Sequence, residues 1–171
     1  MNIYIDCGGW KGDTIEEYYN KNFLVIVFEP NSTYNCYYES FNIVPLNKAV
    51  WINDGEIDFY IGTNYSGLGS TLFKDKITSN IKDVKPIKVP CIDFSKWILD
   101  NFNKDDRIIL KMNIEGAEYP VLNKMIEDGS IKYINKLIIS FHHHKITSIT
   151  EDEHYDLLKR LTGIELVIRG D

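Results

Sequence analysis

Short apolar runs bounded by turn residues recur along the chain, with helix start and stop signals between them. Residues 2–6, 23–28, 107–114 and 136–141 are near-continuous apolar runs of strand length, as expected of strands covered on both faces of a parallel sheet. Residues 42–46 and 164–168 predict two further strands. Asp13 or Thr14 is placed to cap a helix running to about residue 22, with Glu16 and Glu17 in its first turn, where the helix dipole favours negative charge. Asn31 or Ser32 caps a second helix to about residue 41, and Asp93 or Ser95 starts a third to about residue 103. Residues 119–128 predict a fourth, closed by Gly129, with Pro120 tolerated in its first turn. Thr150 caps the last, over 151–161, with Glu153 completing a capping box and Gly163 ending it. Asn53-Asp54-Gly55 separates the runs 48–52 and 56–61, a hairpin signal. Residues 64–85 are polar and glycine-containing and predict a loop with a short helix; 86–91 predicts an extended segment. Strands alternating with helices point to an α/β fold with a mostly parallel sheet.

Composition narrows the class. At 171 residues the chain has the length of one domain, and 44% apolar with 26% charged residues is the mix of a soluble globular protein. No apolar run reaches the roughly 18–20 residues that span a bilayer. The first residues lack the pattern of a signal peptide, so a cytoplasmic protein is expected. Cys7, Cys36 and Cys91 are odd in number and far apart, which argues against a disulfide framework or a cysteine zinc site. The net charge of -6 is wrong for a duplex nucleic-acid binder, which draws affinity from phosphate neutralisation. Lys74, Lys76, Lys82, Lys85 and Lys88 form a local basic stretch, read as a solvated face; a surface for an anionic or glycan-bearing substrate is the alternative.

The chemistry starts at Asp6-x-Gly8-Gly9-x-x-Gly12, after one strand and before one helix. Parallel sheets bind ligands beyond the carboxyl ends of their strands, and glycines there let the backbone approach closely. Glu29 ends the second strand about 20 residues later, where an acid can accept hydrogen bonds from both ribose hydroxyls. Together they indicate a nucleoside-containing cofactor. A dinucleotide turn wants glycine where Cys7 stands, and a carboxylate at Asp6 would repel a pyrophosphate while attracting a sulfonium cofactor with a free amino group. S-adenosylmethionine is therefore favoured over NAD. Trp10 is expected to approach it.

Six motifs in order extend this reading: residues 5–14, Phe28-Glu29-Pro30-Asn31, Asn47-Lys48-Ala49-Val50, Gly69-Ser70-Thr71, Cys91-Ile92-Asp93, and residues 110–118 with Lys111-x-Asn113-x-Glu115-Gly116. In these the chain resembles the FkbM-type methyltransferases, a branch of the class I S-adenosylmethionine-dependent enzymes. The resemblance implies one class I domain over 1–171. It implies a Rossmann-like sheet of order about 3-2-1-4-5 plus one C-terminal strand, helices on both faces, and a small β-hairpin insertion. It also implies that Asp6, Gly8, Gly9 and Gly12 line the methionine part, that Glu29 holds the ribose, and that Asn47 and Ala49 lie near the adenine. Thr14, Pro30 and Asn113 fall within the matching motifs and join the cofactor-binding set. Asn113 stands where the family carries aspartate, and Ser140 where it often carries glutamate. The family methylates mainly hydroxyl oxygens, often on sugars.

An alcohol acceptor should lose its proton during transfer. His142, at the end of a core strand, is the candidate base, with Glu115 orienting it or binding a substrate hydroxyl and Lys111 pairing with Glu115 or Glu118. If the strand continues, His144 points the same way and His143 the opposite way. Asn113, Glu115 and His142 could ligate a divalent metal, but none is expected. Tyr65 and Tyr119 are possible substrate contacts. The expected partner is a small-molecule or glycan acceptor. The rivals are a nucleic-acid methyltransferase and a cofactor-binding protein with little turnover.

Overall fold

The computed structural model describes residues 1–63 and 67–170. Its central sheet holds β1 (Asn2–Cys7), β2 (Leu24–Phe28), β6 (Arg107–Met112), β7 (Ile134–Ile139) and β8 (Glu165–Ile168), all parallel, in the order β2-β1-β6-β7-β8. Helices α1 (Glu16–Tyr19), α2 (Phe94–Asn101), α3 (Glu118–Asp128) and α4 (Glu151–Arg160) lie between strands, as does a 3₁₀ helix over Ser32–Phe41. Alternation along the strands sorts the core into two layers. Ile3, Ile5, Leu110, Met112 and Leu137 pack with Phe94, Ile98, Leu122, Met125 and Leu157 from α2, α3 and α4. Tyr4, Ile109 and Ile138 point the other way, onto Ile15, Tyr18, Tyr34 and Tyr38 of α1 and the 3₁₀ helix. Tyr4 and Tyr18 stack with centroids 3.9 Å apart. The fold is therefore α/β and Rossmann-like, with helices on both faces.

The expected strand at 42–46 does not form. Asn42 takes a left-handed conformation at the end of the 3₁₀ helix, and Pro45 has no N–H to donate. Only Leu46 reaches the sheet, through an isolated parallel bridge to Phe28. The hairpin is also corrected. β3 (Ala49–Trp51) and β4 (Gly55–Phe59) both form around the Asn53-Asp54-Gly55 turn, yet each pairs with β5 (Ile87–Asp93), which lies between them. β3 runs parallel to β5 and β4 antiparallel. The turn straddles the end of β5, where Asp54 Oδ1 accepts the N–H of Asp93.

Most caps behave as the residues predict. Asp93 accepts the N–H of Lys96 at the start of α2, and Thr150 with Glu153 closes a reciprocal capping box on α4. Gly129 ends α3 in a left-handed conformation. The helix expected over 13–22 shrinks to the four residues of α1, because the Thr14 hydroxyl is engaged elsewhere and Asn22 turns left-handed. Residues 67–85 run through turns, anchored by a bridge between Tyr60 and Thr71 and another between Lys76 and Ile146. Among the described residues, no helix is long and apolar enough to cross a membrane.

Candidate active site

From β1 the chain moves to β2 on one side, and the later strands β6, β7 and β8 line up on the other. The order reverses at the carboxyl ends of β1 and β6, the point where open α/β sheets bind ligands. There Gly8 has a φ of 81°, and its N–H bonds Phe28 O at 2.9 Å. A Cβ on Gly8 would lie 2.0 Å from Asn113 O, so glycine alone lets the turn lie flat against the end of β6. Trp10 takes a left-handed φ of 45°, rare for a bulky residue. Two contacts hold it there: its N–H donates to Glu29 Oε2 at 2.9 Å, and its carbonyl accepts from the Tyr38 hydroxyl at 2.8 Å.

Above this point opens a cleft, in the place where ligands of such sheets bind. Its apolar wall includes Phe28, Val50, Leu72 and Ile114, and Gly8, Trp10, Glu29, Pro30, Ala49, Asn113 and Glu115 also line it. Seven residues singled out from the sequence thus share one cavity. Glu29 is 5% exposed, and its two carboxylate oxygens accept the backbone N–H groups of Trp10 and Asn31 at 2.9 Å each. Burial pushes its carboxyl above the usual range, and these two N–H donors oppose that. Asn113 Oδ1 is buried without a hydrogen-bond partner.

Other expected residues are placed differently. Asp6 is fully buried and does not face the cleft. It is the register partner of Lys111 on the neighbouring strand, so the two side chains stand on the same face. Lys111 Nζ meets Asp6 Oδ1 at 2.8 Å and Gly8 O at 2.7 Å, and the Thr14 hydroxyl donates to Asp6 Oδ2. Lys111 therefore pairs with Asp6 rather than with Glu115 or Glu118. With that charge compensated, the electrostatic argument from Asp6 against a pyrophosphate falls away. Gly12 packs against Tyr38 and Ile15, and Asn47 lies below the cleft, tying Glu29 O to Asn35. Gly9 and Thr14 border a second cleft, beside the glycine turn.

At the turn after β6 a buried network forms. Glu115 has a left-handed φ of 54° and lines the cleft. Lys76 Nζ meets Glu115 Oε2 at 2.6 Å and donates to Gly69 O, while the Thr71 hydroxyl donates to Glu115 O at 2.6 Å. Lys76 is buried, not part of a solvated face; burial pulls its ammonium below the usual range, against the pull of Glu115. His142 is 1% exposed and sits behind Glu115, with Nε2 3.5 Å from Glu115 Oε1. Its Nδ1 lies 2.9 Å from Glu118 Oε1, and Glu118 also accepts the N–H groups of Ile114 and Gly116. The two ring nitrogens of His142 thus face two carboxylates, Nδ1 that of Glu118 and Nε2 that of Glu115.

Glu118 and Lys76 have roles that the sequence did not assign them, Glu118 holding His142 instead of Lys111 and Lys76 holding Glu115 instead of lying on a solvated face. Glu118 carried a signal, an acid at the first position of a helix two residues after a glycine turn. Lys76 carried none, since its partner lies 39 residues away. β7 ends before the histidines, and His143–Lys145 forms a 3₁₀ turn, so His143 and His144 do not alternate as strand residues. Tyr119 is buried away from the cleft, its hydroxyl between His143 Nδ1 and His154 Nδ1. Tyr65 lies outside the described residues.

No curated protein and no solved structure matches the chain. The family model of the methyltransferase FkbM domain matches residues 6–163, a span that takes in the glycine turn, Glu29, the β6 motif and His142. The chain belongs to the FkbM methyltransferase family.

Proposed function

We propose that the protein is an S-adenosylmethionine-dependent O-methyltransferase acting on a hydroxyl of a saccharide or other small glycosylated acceptor. One observation carries the cofactor reading: a single cleft at the switch point joins a nearly buried carboxylate, Glu29, to apolar walls and to the unpartnered oxygen of Asn113. A nucleoside asks for that set, since a diol needs an acceptor and a flat base needs apolar surface. Glu29 and Pro30 would hold the ribose, Ala49 and Val50 the base, and Gly8, Trp10 and Asn113 the remainder. When bound, the cofactor supplies an electrophilic methyl group on a sulfonium.

The chain's own residues do the rest. The Lys76 ion pair fixes Glu115 at the cleft wall, and Glu115 accepts the acceptor hydroxyl's proton. His142, held by Glu118, acts through Glu115 rather than on the substrate. The segment from Gly67 to Leu72 forms one wall of the cleft. The acceptor class rests on the family. A cytoplasmic setting is part of the same proposal, favoured by three free thiols.

Calorimetry with S-adenosylhomocysteine tests the cofactor. Wild type should bind, and Glu29→Ala should weaken binding about tenfold or more, as loss of a charge-assisted pair does. No binding by wild type overturns the reading. Labelled methyl transfer onto a panel of glycans tests the acceptor; binding without transfer to any member would leave a cofactor-binding protein of this fold.

A further inference from the structure

Gly69-Ser70-Thr71 stands out in the sequence, yet the transfer step uses none of the three. In the structure each is tied to Glu115 or to the loop that carries its counter-charge. The Gly69 carbonyl accepts the Lys76 ammonium, and a Cβ on Gly69 would lie 3.0 Å from Lys76 Nζ and 2.2 Å from Ser79 Oγ. Glycine, with a φ of 77°, makes room there for the lysine. Ser70 Oγ accepts the N–H of Gly62 at 3.0 Å and donates to Gly67 O at 2.6 Å, folding the loop back on itself.

Thr71 reaches furthest. It is 1% exposed. Its backbone N–H donates to Tyr60 O at 3.0 Å and its carbonyl accepts the Tyr60 N–H at 2.8 Å, which fastens it to the residue following β4. Its hydroxyl accepts the N–H of Phe73 at 3.1 Å and donates to Glu115 O at 2.6 Å. A hydroxyl has one proton, and here it is committed to the Glu115 carbonyl. Thr71 thus joins the small sheet to the turn after β6.

Glu115 needs such a hold. Its φ of 54° lies in the left-handed region, which a residue with a Cβ keeps only when its surroundings over-determine it. On either side, the N–H groups of Ile114 and Gly116 donate to Glu118. The carbonyl of Glu115 itself is held by Thr71. Released, the backbone would relax toward negative φ and turn the carboxylate away from Lys76 and the cleft wall. We propose that Thr71 is a positioning residue for methyl transfer, its hydroxyl holding the strained backbone of Glu115 and so aiming the carboxylate at the acceptor. The sheet β3-β5-β4 then has a mechanical purpose, as the footing of the base. This rests on the reading of Glu115 as the group that takes the acceptor's proton.

Thr71→Val keeps the shape and removes the hydroxyl, whereas Thr71→Ser keeps the hydroxyl. With a saturating acceptor from the glycan panel, kcat should fall about tenfold or more in Thr71→Val, as misplacement of a reacting group does. Affinity for S-adenosylhomocysteine should stay within about twofold of wild type, and Thr71→Ser should restore most of kcat. An equal fall in Thr71→Ser assigns the loss to packing and overturns the inference. So does an unchanged kcat in Thr71→Val when Glu115→Gln is impaired. If Glu115→Gln also transfers at the wild-type rate, the reading of Glu115 has failed and the inference falls with it.

Two measurements need no acceptor. In Thr71→Val the Glu115 Cα and Cβ resonances should leave left-handed values, and the Lys76 ammonium ¹⁵N resonance should move toward that of an exposed lysine. Left-handed Glu115 shifts that persist in this variant overturn the inference. In unaltered protein the Thr71 hydroxyl proton should exchange slowly with water; rapid exchange overturns the inference even where Thr71→Val does not fold.

Discussion

Two buried ion pairs stand on either side of Asn113, and they differ in what holds them. Asp6 and Lys111 are register partners on adjacent parallel strands, sealed in by the sheet and the Thr14 hydroxyl. Glu115 and Lys76 join a strand-end turn to a loop, and the carboxylate keeps one side toward the cleft. Two pairs of similar length, 2.8 and 2.6 Å, thus have unequal surroundings. The first is a foundation, because Asp6, fully buried, cannot rehydrate if Lys111 is lost. The second is a device: it costs less to break, and breaking it frees a group that the chemistry uses.

The sharpest way to break the comparison is Lys111→Met. It leaves Asp6 charged and dry, and stability should drop by about 3–5 kcal/mol in urea unfolding. Asp6→Asn/Lys111→Met should recover most of that loss. Lys76→Met should cost less, about 1–3 kcal/mol, since Glu115 can turn toward water in the cleft. Hydrogen exchange should localise that effect to the Ile77 amide, which bonds Lys145 O, and leave β1 and β6 protected. Equal losses from the two lysine variants would erase the distinction. Glu115→Gln leaves the buried Lys76 ammonium without its counter-charge and should cost about 1–3 kcal/mol, while methyl transfer falls about a hundredfold or more.

The smallest effect is in the pH profile. Burial raises the carboxyl of Glu29 in the folded protein, so the folded state holds a proton that the unfolded chain has released. Its contribution is fully present below the unfolded value of 4.5 and is lost as the pH rises through the folded value. Glu29→Gln should remove that decline from a series of unfolding curves. Affinity for S-adenosylhomocysteine should fall over the same window on acidification, as the carboxylate gains its proton.

Local signals were legible, and pairings between distant segments were not. The glycine turn, Glu29, the Asp93 cap and the Thr150–Glu153 box all lie within a few residues of what they organise, so composition and spacing suffice. The Asn53-Asp54-Gly55 turn was equally visible, but the sequence does not say that β5 lies between its arms. Lys111 was misassigned because its partner depends on parallel register, which shifts every facing residue if it slips by one. Lys76 was hidden because a lysine in a polar loop is normally solvated, and only the fold of residues 67–77 carries it to Glu115.

The pairing of β1 with β6 also bears on the order in which the chain is made. Gly8 and Lys111 are 103 residues apart. At translation rates of about 5–20 residues per second, Asp6 emerges roughly 5–20 s before its counter-charge. Until then β1 has only β2 beside it in the sheet, and α3 and α4, which complete one of its covering layers, are still missing. The centre of the sheet is therefore among the last parts to close during synthesis. A nascent chain halted before β6 would carry an unneutralised acid in the very strand that ends in the ligand turn.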